Sequence, residues 1–448
     1  MHTLEQLRAG ELAGATRLRL ACGLTEFPRE IFDLADTLEI LDLSGNALST
    51  LPDDLPRLAK LRILFCSDNQ FIELPKALGA CPELSMVGFK ANRIHHVPDR
   101  SLPAKLRWLI LTGNELETLP AAIGDCAQLQ KLMLAGNRLR ALPEELAACS
   151  RLELLRIAAN RLTELPSWLA AMPRLAWLAY AGNPFSAPRE ATAVADTPID
   201  SIAWDDLAIQ HQLGEGASGV IHQARHRHAE SARPVAVKLF KGDVTSDGSP
   251  QSEMAACVGA GAHPNLIPVR ARVHGHPAGT HGLVMSLIDP AFGNLAGPPS
   301  LDSCTRDVYP PAKRFELDAM LAIAHGIASA AGHLHRRGIM HGDLYGHNIL
   351  HCGRGRALLG DFGAASFYDP AAPHAAQLER LEVRAFGHLL DELLERCDAP
   401  AASLPVLEQL QGLASACRQS DHQSRPLFGV IESQLGRLRQ TGAGPGAA

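Results

Sequence analysis

Seven asparagines in the first half of the chain, Asn46, Asn69, Asn92, Asn114, Asn137, Asn160 and Asn183, recur at spacings of 23, 23, 22, 23, 23 and 23 residues. Around each runs one frame, as in LEILDLSGNALSTLP (residues 38–52) and LQKLMLAGNRLRALP (residues 129–143). A fixed period of this length restricts the fold more than composition does. Each unit carries apolar residues that it cannot bury alone, so the units must stack. Each asparagine follows a short strand, where its amide can bond nearby main chain as the chain turns out. A leucine-rich helical bundle would need a 3.6-residue period, and Pro52, Pro75, Pro98, Pro120, Pro143 and Pro166 interrupt any such helix.

This frame resembles the leucine-rich-repeat family, in its L-x-x-L-x-L-x-x-N-x-L-x-x-L-P form, over about residues 16–187. A degenerate eighth unit, LRLACGLTEFP (residues 18–28), lacks the asparagine and lies beside an N-terminal cap. The resemblance implies an α/β solenoid, a horseshoe, over residues 1–187. Cys81, Cys126 and Cys149 each precede a repeat leucine by three and read as small core hydrophobes. None of the ten cysteines forms a C-x-x-C pair, so neither zinc nor disulfides are expected. In the repeat frame the residues flanking the central strand leucine face the concave side. One column is Ile40, Ile63, Met86, Trp108, Lys131, Leu154 and Trp177; the other is Asp42, Phe65, Gly88, Ile110, Met133, Arg156 and Ala179. An exposed, mostly apolar column with two tryptophans predicts a protein-contact face, for another protein or for this chain's own second half.

Between residues 188 and 203 the composition turns to Ala, Thr, Asp and Pro, which predicts a linker. Beyond it come, in order, the parts that phosphoryl transfer needs: a phosphate cradle, a cation, metal ligands and a group that orients the nucleophile. LGEGASGVIHQA (residues 213–224) holds Gly214, Gly216 and Gly219, whose missing Cβ atoms let main chain approach phosphate. VAVK follows and ends on Lys238, a strand-end lysine that needs an acidic partner; Glu253 lies on the next expected helix, ten residues before His263. HGDLYGHNIL (residues 341–350) sets Asp343 and Asn348 five residues apart, and Asp361-Phe362-Gly363 begins eighteen residues after Asp343. Glu382 and Arg425 lie further on, in LEVRAFGHLLDELL and SRPLFGVI.

In this order the motifs resemble those of the protein kinases over roughly 230 residues. The resemblance implies an α+β bilobal kinase fold over residues 204–437. It places ATP against Gly214, Gly216, Gly219, Ile221, Ala236, Lys238 and Met285, pairs Lys238 with Glu253, sets Mg²⁺ on Asn348 and Asp361, and makes Asp343 the catalytic base. Transfer to a protein hydroxyl, serine or threonine ahead of tyrosine, is the activity implied. The alternative is a nucleotide-binding pseudokinase scaffold whose repeats hold a partner.

The chain departs from the family in the loop that carries Asp343 and in the segment after Asp361. Gly342 stands where the arginine of H-R-D receives a phosphate, and Tyr345 where a lysine reaches the γ-phosphate. His347 is not the arginine of the tyrosine-kinase pattern, and the A-P-E motif survives only as Ala372-Pro373-His374. The segment after Asp361 is short, with Ser366 and Tyr368 as its only hydroxyls before Glu382, and Glu379 is the expected ion-pair partner of Arg425 in place of the A-P-E glutamate.

A net charge of −6 indicates neither a nucleic-acid nor a membrane-attracting field. Glu5, Arg8, Glu11, Arg17 and Arg19 are unlike a signal-peptide core, and no uncharged apolar run has the length of a membrane span. A soluble cytoplasmic protein of bacterial type is expected. Histidines such as His226 and His228 are expected at the surface, and residues 438–448 are expected to be disordered.

Overall fold

A 23-residue period leaves room for one short strand and one tight turn per repeat, and this is what forms. In the computed structural model, which describes residues 2–197, 199–216, 218–227, 234–242, 244–400 and 403–442, two compact units separate. The first is Met1–Leu175 with Asn183–Phe185; the second is Ala176–Gly182 with Ser186–Ala448.

The first unit opens on the short helix α1 (Leu4–Arg8), whose start is closed by a capping box between Thr3 and Gln6. Seven three-residue strands follow: β1 (Arg17–Arg19), β2 (Ile40–Asp42), β3 (Ile63–Phe65), β4 (Met86–Gly88), β5 (Trp108–Ile110), β6 (Lys131–Met133) and β7 (Leu154–Arg156). Each pairs in parallel and in register with the next, so Leu41, Leu64, Leu109, Leu132 and Leu155 stack as fully buried rungs. The return elements are 3₁₀ turns rather than α-helices, such as Ala121–Asp125 and Glu144–Ala148, each begun by the repeat proline. The asparagines work between repeats as well as within them. Asn137 donates to the carbonyls of Leu111 and Leu134, both at 2.9 Å, and accepts from the Leu116 N–H at 3.0 Å. Asn46 serves the degenerate first unit in the same way, accepting from Cys22 and Leu24.

The exposed apolar column expected on the concave side is not found. Ile63, Met86, Lys131, Leu154 and Trp177 are buried, while Ile40 and Trp108 are half-buried. Neighbouring strands supply part of the cover. The Trp108 indole N–H points to Met133 Sδ at 3.4 Å, and the Lys131 ammonium lies 4.2 Å from the centre of the Trp108 ring.

The second unit begins with β8 (Trp177–Ala179), so the boundary falls inside the last repeat and not after residue 187. The residues read as a linker are built into this unit. They form α2 (Ala187–Asp196) and β9 (Asp200–Ala203). Next come β10 (Leu207–Glu215), β11 (Gly219–His226), β12 (Pro234–Phe240), α3 (Pro250–Gly259), β13 (Val269–His274) and β14 (Gly282–Ser286). The sheet order is β10-β11-β12-β14-β13-β9, with β9 added in parallel at the edge beside β13. Helices form the other lobe: α4 (Leu317–Arg336), α5 (Ala375–Leu394), α6 (Leu404–Cys417) and α7 (Phe428–Gly442). By length and apolar content α4 could cross a membrane, but most of it is buried inside the lobe. The tail expected to be disordered is helical as far as Gly442; residues 443–448 and His228 lie outside the described residues.

Candidate active site

Lys238 reaches the site because β12 alternates. Val237 points into the sheet's core, and Lys238, in register with Ile221 and Leu283, turns the other way. Glu253 reaches it because α3 starts on time: the Ser249 hydroxyl accepts from the Ser252 N–H at 3.1 Å, and Pro250 occupies the first turn. Both side chains are removed from water, and they form an ion pair. Burial alone would lower the ammonium pKa of Lys238; the adjacent Glu253 charge, with Asp361 behind it, holds it above its ordinary value.

A cleft of about 480 Å³ runs between the two lobes of this unit. Gly214, Gly216, Gly219, Ile221, Lys238, Glu253, Met285, Asn348 and Asp361 all line it. Ala236 does not; it is buried opposite Met285 in the sheet. Gly214 and Gly216 have open space where a Cβ would stand, which leaves the main chain accessible to a phosphate. Asp361 is exposed to the cleft with a left-handed φ of 52°, and its Oδ1 accepts from the Gly363 N–H at 3.1 Å. Phe362 turns inward, its ring centre 5.2 Å from that of His341.

Asp343 does not line the cleft itself but is tied to it. The Asn348 amide donates to Asp343 Oδ2 at 2.8 Å and to its carbonyl at 2.9 Å, which leaves the Asn348 oxygen as an acceptor. Asn348 and Asp361 therefore offer oxygen atoms only, the donor set a magnesium ion takes.

Three groups around the catalytic loop were not foreseen as site residues. Glu382, on α5, accepts from the Gly342 N–H at 2.6 Å and the His341 N–H at 3.1 Å, with His335 Nε2 at 2.8 Å. Burial would raise its carboxyl pKa, but these neighbours hold it below the ordinary value. Asp307 fixes His347, taking Nδ1 at 2.7 Å and the main-chain N–H at 3.1 Å. Trp177, from the last repeat, stacks on Tyr345. The first could be read from its motif position; the other two are contacts between segments with no local signal. The expected Glu379–Arg425 ion pair is not what secures Arg425. Its guanidinium donates to the carbonyls of Gln419 at 2.8 Å and Arg380 at 3.0 Å, and Glu379 accepts from the Phe428 N–H at 2.7 Å.

A glycine-bordered cleft, a buried Lys–Glu pair and an Asp–Asn pair facing a second aspartate define a protein-kinase domain. A family model described as protein tyrosine and serine/threonine kinase matches residues 207–384, and one described as leucine rich repeat matches residues 37–58. The chain is 26% identical over 170 residues to cyclin-dependent kinase 11.1 of Caenorhabditis elegans, covering 37% of this chain and 22% of that protein. It is 33% identical over 112 residues to leucine-rich repeat and calponin homology domain-containing protein 1 of Mus musculus, covering 24% and 16%. Among solved structures, a leucine-rich-repeat protein of Leptospira interrogans matches at 22% identity with a TM-score of 0.36, covering 41% of this chain and 53% of that one. The chain thus spans less than a quarter of the length of these two curated relatives. Its matches fall in two places, a leucine-rich repeat near the start and a protein-kinase domain over residues 207–384.

Proposed function

We propose that this protein transfers the γ-phosphoryl group of ATP to a protein hydroxyl, serine or threonine ahead of tyrosine. The observation that carries this reading is the buried Lys238–Glu253 pair beside Asp361 in one cleft. An ammonium costs several kcal/mol to bury, and a carboxylate partner makes the site tolerable without neutralising its use as a phosphate ligand. Lys238 would hold the phosphates in line, while the Gly214–Gly219 loop covers them with main chain. Magnesium, held by Asn348 and Asp361, would offset the charge on the phosphates. Asp343 would orient the acceptor hydroxyl and take its proton as the new P–O bond forms and ADP leaves. The repeats would serve as the protein-contact module, with half-buried Ile40, Phe65, Trp108, Ile110 and Met133 as the part of the concave side open to a partner.

One observation favours the scaffold reading instead. Tyr345, at the position of the usual lysine, is buried and supplies no cation to the cleft. The deciding experiment incubates the full chain with Mg²⁺ and γ-labelled ATP, with and without a generic protein acceptor, beside K238M and D343A. Label transfer by the wild type, lost in both variants, supports the kinase reading, and phosphoamino-acid analysis identifies the acceptor. ATP binding without transfer sinks it in favour of the scaffold.

A further inference from the structure

The last repeat strand and the helix after it touch α3, the loop that carries Asp343 and the segment that follows Asp361. Glu190, on α2, is held at one end by the repeat turn: its Oε1 accepts from the Gly182 N–H and the Ser186 hydroxyl, both at 2.8 Å. Its other oxygen accepts from the Ser252 hydroxyl at 2.7 Å. Ser252 is buried on α3, one residue before Glu253. Further back, the Trp177 indole N–H donates to the Leu344 carbonyl at 3.2 Å, beside Asp343. The Tyr180 N–H donates to the Ser366 hydroxyl at 2.9 Å, in the segment that follows Asp361.

That segment has no accessible phosphate acceptor. Ser366 is fully buried and also donates to the Ala364 carbonyl, and the Tyr368 hydroxyl is buried against His335, 2.7 Å from Nδ1. Gly342 leaves no arginine to receive a phosphate, and the reason is steric. A Cβ at Gly342 would stand 2.6 Å from the Leu178 carbonyl oxygen and 2.5 Å from that of Ala364. The last repeat strand occupies the space that an arginine side chain would need.

We propose that residues 176–190 are a positioning element of the phosphoryl-transfer site: Glu190 sets the helix that carries Glu253, and β8 with Tyr180 sets the loop that carries Asp343 and the segment after Asp361. The proposal rests on the kinase reading above. It replaces a phosphate by a covalently attached strand and one carboxylate, so the site is assembled without modification. Glu190 touches neither nucleotide nor acceptor and acts through Ser252.

The test uses the full chain as wild type, E190A, S252A, the double variant and E190Q. Turnover, KM for ATP, affinity for a fluorescent ATP analogue and amide exchange in Pro250–Gly259 are measured for each. Misplacing a reacting group by about 1 Å costs on the order of a hundredfold, so E190A should lose roughly tenfold or more in kcat with little change in KM. Amides of α3 should exchange faster in E190A and S252A, and the double variant should be no worse than E190A. E190Q keeps an oxygen for Gly182 and Ser186 and can offer its amide to the Ser252 oxygen, so it should restore most of the rate. Wild-type turnover and wild-type α3 exchange in both single variants would overturn the proposal, as would a double variant whose losses simply multiply. If the wild type transfers no phosphate, the kinase reading fails, while α3 exchange and nucleotide affinity still decide whether Glu190 sets that helix.

Discussion

The indole of Trp177 lies flat on the ring of Tyr345, with centroids 4.3 Å apart and planes 5° from parallel. Both side chains are buried, and the Arg306 guanidinium lies over the Trp177 ring, 5.1 Å from its centre. Tyr345 occupies the position where a lysine would reach phosphate, and the stack turns it into a structural residue of the catalytic loop. Offset aromatic pairs contribute about 0.5–1.5 kcal/mol beyond their buried area.

Trp177→Ala removes the stack and the bond to the Leu344 carbonyl and leaves a cavity. A loss of about 3–5 kcal/mol is expected. W177F keeps a ring over Tyr345 and loses the indole donor, so roughly 1–2 kcal/mol is expected. Denaturant melts of the two variants check the order, and a W177A no less stable than W177F would contradict it.

Gly342→Arg, which restores the H-R-D sequence, should damage the protein instead of activating it. The backbone is left-handed there, with φ 74°, and a β-carbon already collides with two carbonyl oxygens. Left-handed backbone costs an L-residue roughly 1–2 kcal/mol before any clash. Even G342A should lower the melting temperature by several degrees. A stable, more active G342R would show that β8 does not hold the position described.

Within the repeats, Asn137→Ala strips three main-chain partners of a buried amide at once. Unmade buried hydrogen bonds cost about 1–3 kcal/mol each at most, and relaxation shares the loss, so about 2–4 kcal/mol is expected. Asp68→Ala, at an exposed repeat turn that already has positive φ, should cost far less. Calorimetry of the two variants gives the comparison.

Glu392 makes a contribution to stability that falls as pH rises through the neutral range. Burial, with the Asp307 charge adding to it, raises its carboxyl from 4.5 to about 8. The folded chain therefore keeps a proton that the unfolded chain releases above about pH 4.5. The contribution is fully present below that pH, declines between it and about pH 8, and is lost above. Glu392→Gln keeps the acceptor for the Tyr309 hydroxyl, 3.1 Å away, without the proton linkage. Melts at pH 5.5 and 8 should show a smaller drop for E392Q than for the wild type; equal drops would remove Glu392 as the cause.

The parts of the molecule that the sequence determined by itself are those whose chemistry is local or periodic. The asparagine period sets the stacked strands, because every unit must satisfy the same main chain in the same way. Lys238, Glu253, Asp343, Asn348 and Asp361 are legible because their motifs follow one another in an order that resembles the protein kinases; the fold brings four of them to one cleft and ties Asp343 to it. Tertiary structure decided the rest. Trp177 and Leu344 are 167 residues apart, and Tyr180 and Ser366 are 186 apart. No pattern near either residue records such a contact. The apparent linker is a helix and an edge strand, because Glu190 finds Ser252 and β9 finds β13 only once the sheet exists. The concave column reads as exposed from its frame, yet most of it is buried, since side chains of stacked strands close on one another, as Met133 and Lys131 do on Trp108, and that packing exists only once the strands are stacked.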